Sequence, residues 1–389
     1  MWVKSTEVNL RQISDTSEKL TQLGLKSSAA KWVRAQSPLV ALYGATAGVV
    51  GWLNIPATTN QAVLAVQPQD GTHARWLYWI LKNSTRDILA SVQGSGQPNL
   101  SKGTLDGTML LWPNDSAEQR RIAEILDTAD DAIQKTEALI AKLKQMKAGL
   151  LQDLLTRGID ENGNVRSEKT HKFKDSLYGR IPVFWEVVPA TMLCDAVIDC
   201  KNRTPPESKV GYHVVKTTNV RNGRLIVETM TLTDPVAYEI WTARGKPVAG
   251  DVLITREAPV GEVGLVTEQM PPLCLGQRMT MYKINRNRIN AQFLLYMLLS
   301  RPVQDGLAAK AGGSTVGHVR VGDIKYLPIP VCSLSEQVRI AQRISSLIDR
   351  INDENEVLTK YRKLKAGLMH DSLTGTRRVK QQPTTPAIE

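Results

Sequence analysis

Residues that usually carry catalysis or bind metals are few in this sequence, and they are not grouped. No C-x-x-C pair is formed by the four cysteines, which are Cys194, Cys200, Cys274 and Cys332. The five histidines are scattered, so no metal site is predicted. There is no G-x-x-x-x-G-K-[ST] phosphate loop, and Thr204-Pro205-Pro206 lacks the Asn or Asp of an amino-methyltransferase motif. We therefore predict a chain without catalytic residues, with reduced and mostly buried thiols, in the cytoplasm.

The chemistry that the composition favours is the binding of a polyanion. The chain has 49 Lys and Arg against 38 Asp and Glu, a net charge of +11 over 389 residues. Most of the excess lies in residues 1–113, with 10 basic and 6 acidic residues, and in residues 178–331, with 18 and 13. A positive surface of this size suits DNA, although an ordinary basic protein has the same charge.

Two long amphipathic helices must position these basic segments. Residues 116–157 and 335–376 each carry an apolar stripe with alternating spacings of four and three, and Asp115 or Ser116 can cap the first helix. The two helices are repeats, with 15 identities in the 39 positions aligned from Glu118 at an offset of 218. The repeat predicts one parallel or antiparallel coiled-coil pair in a fixed register. The predicted pairing positions are Ile122, Leu126, Ile133, Ile140, Leu143, Leu150, Ile340, Ile344, Leu347, Ile351, Leu358, Tyr361 and Leu368.

The repeat extends into the segments before the helices. Val3-Lys4-Ser5-Thr6 resembles Val215-Lys216-Thr217-Thr218, and Gly48-x-x-Gly51 resembles Gly261-x-x-Gly264. The second copy has about 35 residues before Val215, beginning with the I-P-x-x-W sequence at Ile181, for which the first copy has no counterpart. We therefore predict that the first globular domain lacks its opening strands and exposes a sheet edge.

The predicted domains follow from this repeat. They are a first globular domain (1–113, incomplete at its N-terminus), a central helix (114–158), a polar linker (159–177), a second globular domain (178–331), a C-terminal helix (332–377) and a disordered tail (378–389). The fold class is α+β, with two mixed, β-rich domains separated by two long paired helices and related by an internal pseudo-two-fold repeat.

One uncharged stretch, residues 37–57, approaches the length of a membrane span. It contains three glycines and two prolines, and its counterpart in the second copy carries charged residues. We interpret it as a buried strand, a turn and a second strand, and we expect no membrane association.

The alternation of two basic globular domains with two E-Q-x-R-I-A…K-A-G-L helices resembles the specificity subunit of type I restriction–modification enzymes. The resemblance covers nearly the whole chain. It implies that each globular segment is a target recognition domain, that each reads half of a bipartite double-stranded DNA site, and that the helices set the spacing between the halves. It also implies docking of two methyltransferase subunits and of motor-nuclease subunits. S-adenosylmethionine, ATP and Mg²⁺ are then expected on those partners, and no cofactor is expected on this chain.

Within this family resemblance, polar residues near predicted strand ends and Gly-rich loops are candidates for DNA contact, because Arg pairs with guanine and Asn or Gln with adenine. In the first domain they are Lys4, Ser5, Thr6, Tyr43, Asn60, Gln61, Gln97 and Asn99. In the second domain they are Lys201, Asn202, Arg203, Thr204, Lys216, Thr217, Thr218, Asn219, Arg221, Arg256, Gln277, Arg278, Ser314, Thr315 and His318.

Two other functions remain open at this stage. A truncated or silent copy of a specificity subunit would act only as a coiled-coil scaffold or recombination partner, and the shortened first domain favours that alternative. A stand-alone nuclease is the third class, but no carboxylates cluster with a lysine at strand spacing.

Overall fold

The computed structural model describes residues 1–92, 100–311 and 317–379, and the chain divides into two compact units. The first unit is Met1–Leu139 together with the chain from Glu354 onward, and the second is Ile140–Asp353. Each long helix therefore contributes one half to each unit. This division differs from the linear one predicted above, because the two halves of a helix pack with different globular segments.

In its described residues the first unit has two small sheets and, besides the long helices, the 19-residue helix α3 and three short helices. Its strands are β1 (Trp2–Val3), β2 (Gln12–Ile13), β3 (Trp32–Val33), β4 (Ser37–Ala41), β5 (Val50–Leu53), β6 (Ala57–Thr59) and β7 (Val63–Ala65). Its own helices are α1 (Ser5–Val8), α2 (Gln22–Lys26), α3 (Ala74–Val92) and α4 (Lys102–Asp106). The strand orders are β1-β6-β3 and β2-β5-β4-β7. The first long helix, α5, is Ser116–Thr156.

The second unit repeats this plan with additional strands. They are β8 (Phe173–Ser176), β9 (Gly179–Pro182), β10 (Glu186–Pro189), β11 (Cys194–Asp199), β12 (Tyr212–Val215), β13 (Val220–Arg221), β14 (Arg224–Leu225), β15 (Thr231–Thr233), β16 (Val252–Thr255), β17 (Val263–Leu265), β18 (Leu273–Leu275), β19 (Met279–Ile284) and β20 (Pro328–Val331). Its helices are α6 (Pro235–Thr242), α7 (Ala291–Leu299), α8 (Arg301–Lys310) and α9 (Val321–Lys325), followed by the second long helix, α10 (Leu334–Leu373). The larger sheets have the orders β11-β19-β16-β17 and β15-β12-β18.

The two long helices confirm the helical prediction and, with the two β-rich segments, the fold class. Asp115 caps α5, since its Oδ1 accepts the N–H of Ala117 at 2.8 Å. In the first unit Asp130 of α5 pairs with Lys365 of α10, and Glu137 pairs with Arg362 at 2.7 Å. From the first of these ion pairs to the second, the residue number rises on α5 and falls on α10. The two helices therefore run antiparallel in this unit.

The ends of the apolar stripes pack differently from the prediction. Ile122 and Leu126 lie in one core with Trp76 and Trp79 of α3. Ile340 and Ile344 of α10 lie in the core that α7 fills in the second unit. These positions therefore join the long helices to α3 and α7 of the globular segments. Both α3 and α7 have apolar faces that must also be covered.

Most of the remaining stripe is buried. The fully buried positions are Ile133, Ile140, Leu143, Ile351 and Leu358. The partly buried ones are Leu150, Leu347 and Leu368. Tyr361 is exposed and borders a groove with Ile125 and Leu364, which are also exposed. The groove is lined by residues of both α5 and α10, so packing of Tyr361 between the helices stays a prediction.

The repeated Glu-Gln pair at the start of each long helix attaches the helix to the globular segment of its own unit. Gln119 Oε1 accepts the N–H of His73 at 2.8 Å, and Gln337 Oε1 accepts the N–H of Asn290 at 2.8 Å. Both glutamines also donate from Nε2 to a carbonyl just before their helix. Each amide thus satisfies backbone groups that would otherwise be left unpaired at a buried helix start.

The two glutamates, Glu118 and Glu336, accept from an arginine and from a backbone N–H. Glu336 is contacted by Arg166 and by the N–H of Ile159 at 3.0 Å. Glu118 is contacted by Arg378, whose hydrogen bonds hold the pKa of this carboxyl below its ordinary value.

Segment 159–177 is not the plain polar linker that we predict, since its start is buried and its end forms β8. Of the predicted tail, Arg378 and Val379 are folded onto Glu118, and residues 380–389 lie outside the described residues.

The uncharged stretch 37–57 forms β4, a short 3₁₀ turn and β5, as predicted. No described helix is long and apolar enough to cross a membrane.

We expect the buried ion pair between Asp130 and Lys365 to stabilise the first unit. Asp130→Ala leaves the Lys365 ammonium, whose side chain is 15% exposed, without its counter-charge, at a cost of about 3 kcal/mol in the free energy of unfolding. The double change D130L/K365M should recover most of this loss, which urea denaturation measures. Glu137→Ala, at an exposed pair, is the control and should cost less than about 1 kcal/mol.

The same pair predicts a pH dependence. Burial raises the pKa of Asp130, but the hydrogen bond and charge of Lys365 outweigh burial and lower it. The contribution of this ion pair to the free energy of unfolding is therefore present at neutral pH, and it is lost as the pH falls through the lowered pKa of Asp130. An equal acid sensitivity of the wild type and D130L/K365M would contradict this account.

Candidate nucleic-acid interface

In the second unit one end each of β11, β16 and β19 lies on the same side of the sheet. We call this side, where the strand ends meet, the edge of the second unit. Beyond β11, the Cys200 N–H donates to the Met279 carbonyl at 3.1 Å. Beyond β16, the Arg256 N–H donates to the Arg278 carbonyl at 2.9 Å, and the Val319 N–H donates to the Arg256 carbonyl at 2.9 Å. Residues that are far apart in sequence, near 200, 256, 278 and 318, are thus neighbours.

Lys216 joins this edge from the neighbouring sheet. The Gly276 N–H donates to the Val215 carbonyl at 2.9 Å, and a Cβ on Gly276 would lie 2.9 Å from that carbonyl oxygen. Only a glycine allows the two strands to approach this closely. Lys216 therefore lies beside Gln277, and its Nζ forms an ion pair with Glu207 at 2.6 Å.

Arg256 and Arg278 have different environments although they are neighbours. The Arg256 guanidinium is buried and lies 3.1 Å from the Asp199 carboxylate, so its side chain is committed to an internal ion pair, and its direct contact with DNA stays a prediction. Arg278 has a side chain that is 43% exposed, and its Nε lies 2.5 Å from Glu257. His318 is exposed on the other side of Glu257, at 3.7 Å. Arg256 thus supports the edge, while Arg278 and His318 face solvent.

The loop after β11 adds two cations beside an aromatic ring, the half-buried Lys201 and the exposed Arg203. The Lys201 ammonium and the Arg203 guanidinium lie 5.2 and 5.3 Å from the centre of the Trp241 ring. The Trp241 Nε1–H donates to the Arg203 carbonyl at 3.0 Å and fixes the loop. Asn202 is exposed and Thr204 is half-buried. Because the ring holds the two cations without neutralising them, they remain able to bind phosphate.

The turn after Lys216 is partly structural. Thr217 and Asn219 are buried, and Asn219 Oδ1 accepts the Lys216 N–H at 2.8 Å. Arg221 donates to the carbonyls of Thr217 and Val220. Thr218 is exposed. Asn219 closes the 3₁₀ turn with its side chain, whereas Thr217 is buried and accepts from Arg221 through its carbonyl, so contact of either side chain with DNA stays a prediction.

The first unit repeats the backbone of this edge with different side chains. The Asn60 N–H donates to the Val3 carbonyl at 3.1 Å, the Leu42 N–H to the Ala62 carbonyl at 2.8 Å, and the Leu100 N–H to the Leu42 carbonyl at 2.8 Å. They match three of the four bonds in the second unit, all except the one from Cys200 to Met279. Leu42 therefore stands where Arg256 does, and Ala62 where Arg278 does. The edge of the first unit therefore has neither of these two arginines.

The other candidates of the first domain lie around this edge. Lys4 pairs with Glu18 at 2.6 Å, and Ser5 and Thr6 begin α1. Tyr43 and Gln61 are exposed, and Asn60 is half-buried. Four predicted residues lie outside the described residues: Gln97, Asn99, Ser314 and Thr315.

Sequence reasoning missed the residues that organise the second edge, Asp199, Trp241 and Glu257. Only the position of Glu257, next to Arg256, offered a signal. The pairing of Asp199 with Arg256 and the stacking of Trp241 under the loop depend on contacts between distant parts of the chain.

Comparisons with known proteins agree with this geometry. The family model described as the type I restriction modification DNA specificity domain matches residues 4–145 and 208–360, more than half of the chain. The chain is 26% identical over 309 residues to the specificity subunit of the type I restriction enzyme MjaVIII of Methanocaldococcus jannaschii, covering 78% of this chain and 70% of that protein. It is 24% identical over 359 residues to the EcoBI specificity subunit of Escherichia coli, covering 88% and 74%.

Solved structures show the same fold. The S subunit of a type I restriction–modification system from M. genitalium superposes with a TM-score of 0.58 at 13% identity, covering 90% of this chain and 85% of that one. A chain from a structure of a type I restriction–modification complex gives 0.55 at 15% identity, covering 96% and 90%. With the family match, these results confirm the predicted family and agree with a non-catalytic recognition subunit. The chain belongs to the family of type I restriction–modification DNA specificity subunits.

Proposed function

We propose that the chain is the DNA-binding specificity subunit of a type I restriction–modification complex and recognises a bipartite double-stranded site. The observation that carries this proposal is the edge of the second unit, where Lys201, Arg203, Lys216 and Arg278 are gathered with the amide of Gln277. Cations provide affinity for phosphate, and Arg and Gln can read base edges in the major groove.

The ion pairs at this edge do not prevent DNA binding. Glu207 and Glu257 hold Lys216 and Arg278 in the free chain. In each pair one side chain is more than 40% exposed, Glu207 in one and Arg278 in the other. Pairs at the surface contribute only about 0–1 kcal/mol, so a phosphate or base can replace the carboxylate. The acidic partners also keep the cations in place before DNA arrives.

The family resemblance supplies the remaining parts of the proposal. Two methyltransferase subunits would dock on the long helices, which would form a coiled coil and set the gap between half-sites, and motor-nuclease subunits would join that core. S-adenosylmethionine, ATP and Mg²⁺ would be bound by those partners and not by this chain. Because host DNA is the substrate, the complex would act in the cytoplasm.

A second candidate function is a scaffold or silent copy with reduced recognition. Leu42 and Ala62 occupy the positions of two arginines in the first unit, and this observation favours the alternative for the first domain. The two candidates differ in whether the first half-site is specified.

Arg278→Ala should weaken binding of the cognate site about 5- to 150-fold, the range for one bidentate base contact. Binding to matched and mismatched duplexes is measured by fluorescence anisotropy. Arg301→Ala, at a side chain that is 92% exposed on α8, is the matched control and should have no effect. An equal loss on both duplexes would make Arg278 a phosphate contact, and no loss would remove it from the interface.

Arg256→Ala should lower the stability of the fold, because Arg256 is part of a buried ion pair. Asp199 would lose its buried partner, and we expect a loss of about 2 kcal/mol or more in the free energy of unfolding. Urea denaturation of Arg256→Ala beside Arg278→Ala tests this difference. If Arg256→Ala keeps wild-type stability yet abolishes binding, Arg256 contacts DNA itself.

The function as a whole is tested by co-expressing the chain with its methyltransferase subunit and mapping adenine methylation in host DNA by single-molecule sequencing. A motif with two specified halves is expected if both units read sequence. A motif with one specified half would limit recognition to the second unit. An intact complex without methylation would contradict the proposal and favour the silent copy.

A further inference from the structure

A lysine at the end of a strand has the same backbone setting in both units. Lys4 follows β1, with φ −99° and ψ 160°, and Lys216 follows β12, with φ −97° and ψ 165°. Each lysine is the N-cap of a short helical turn, and the side chain of the third residue of that turn accepts the lysine N–H. The acceptor is Glu7 at 2.9 Å in the first unit and Asn219 at 2.8 Å in the second. The two lysine side chains therefore start from equivalent places in the two units.

The chain beside each lysine is also equivalent. β1 lies parallel to β6, and β12 lies parallel to β18. The residue after β6 or β18 donates its N–H to the carbonyl of the residue before the lysine, at 3.1 Å and 2.9 Å. The next residue is a glutamine in both units, Gln61 and Gln277, and the residue after it is Ala62 in one unit and Arg278 in the other. The repeat therefore keeps the lysine and the glutamine and changes the arginine.

Each lysine is held by a glutamate, but the two glutamates are not equivalent in the repeat. Lys4 Nζ lies 2.6 Å from Glu18, which follows it by 14 residues, and Lys216 Nζ lies 2.6 Å from Glu207, which precedes it by 9. If the ion pair only stabilised the fold, the repeat would be expected to keep both partners. The feature that the two units share is therefore the position of the cation and not one particular ion pair.

Both ion pairs lie at the surface, where another anion can replace the carboxylate. The lysine side chains are 35% and 30% exposed, and those of Glu18 and Glu207 are 59% and 63% exposed. Pairs with this much solvent contribute little to stability. An ammonium on a flexible stem is a point charge and suits a phosphate oxygen, whereas the planar fork of Arg and the amides of Asn and Gln suit base edges.

We propose that Lys4 and Lys216 are equivalent contacts to DNA phosphates, one in each unit, and that Glu18 and Glu207 hold them until the phosphate displaces the carboxylate. This inference rests on the proposed function and extends it to the first unit. There the contact needs neither of the arginines that the second unit has at the positions of Leu42 and Ala62. The first unit would thus hold the DNA backbone whether or not it reads a base sequence.

The salt dependence of DNA binding tests this proposal. The full chain is titrated with a duplex that carries the cognate motif and with a duplex in which the motif is scrambled, and fluorescence anisotropy gives the affinity at several NaCl concentrations. Lys4→Ala and Lys216→Ala should each weaken binding to both duplexes by the same factor. Each should also reduce the slope of log affinity against log salt by about 0.9, and the double variant should reduce it by about 1.8, because each phosphate contact releases counterions independently.

Three matched variants separate a phosphate contact from a structural ion pair. Lys4→Arg and Lys216→Arg keep the charge and should keep the wild-type slope. Glu18→Gln and Glu207→Gln remove the carboxylate and keep the cation, so they should tighten binding to both duplexes by up to about fivefold. Arg180→Ala removes an exposed cation of β9 that is paired with Glu168 at 3.2 Å, and it should leave the slope unchanged.

The proposal is overturned if either lysine-to-alanine variant keeps the wild-type slope or loses affinity only for the cognate duplex. It is also overturned if the glutamine variants lose affinity as the alanine variants do, since a structural ion pair predicts the same loss from either partner. Failure of the proposed function would look different. The wild-type chain would then bind both duplexes equally and Arg278→Ala would change neither affinity, while the lysine variants would still reduce the slope on both.

Discussion

Each unit depends on a buried glutamate–glutamine pair in the first turn of a long helix. The glutamine satisfies backbone groups of the globular segment, and the glutamate accepts from an arginine that arrives after the other long helix has ended. A buried carboxylate without such partners would be costly. This requirement ties the globular segment, the helix start and the following chain together in each unit, and it explains why Glu-Gln is repeated in the sequence.

The candidate interface depends on that attachment, because the sheet edges are built from strands that are held by the same cores. In the second unit the edge gathers cations from four places in the sequence and pairs them with acidic residues, of which Asp199 and Glu257 are half-buried and Glu207 is exposed. Asp199 neutralises the buried Arg256, whereas Glu257 holds Arg278 at the surface. One carboxylate thus supports the fold, and the other holds a cation that stays accessible to solvent.

The two units share backbone hydrogen bonds but not side chains. At matched positions the second unit has Arg256 and Arg278, and the first has Leu42 and Ala62. A shared backbone with different side chains is common to both candidate functions, because a recognition domain for another half-site and a domain with reduced recognition both keep the scaffold and change the groups that it presents.

The sequence by itself determined the repeat, the two long helices, the buried strand–turn–strand at 37–57 and the family, since periodicity and matched motifs are local or internal properties. Only the tertiary structure decided which candidates are free to bind. Arg256, Thr217 and Asn219 have suitable side chains, yet burial commits them to the fold. The contacts of Trp241 with Lys201 and Arg203, and of Glu257 with Arg278, became visible only in the tertiary structure, because they join residues that are at least 20 positions apart in the sequence.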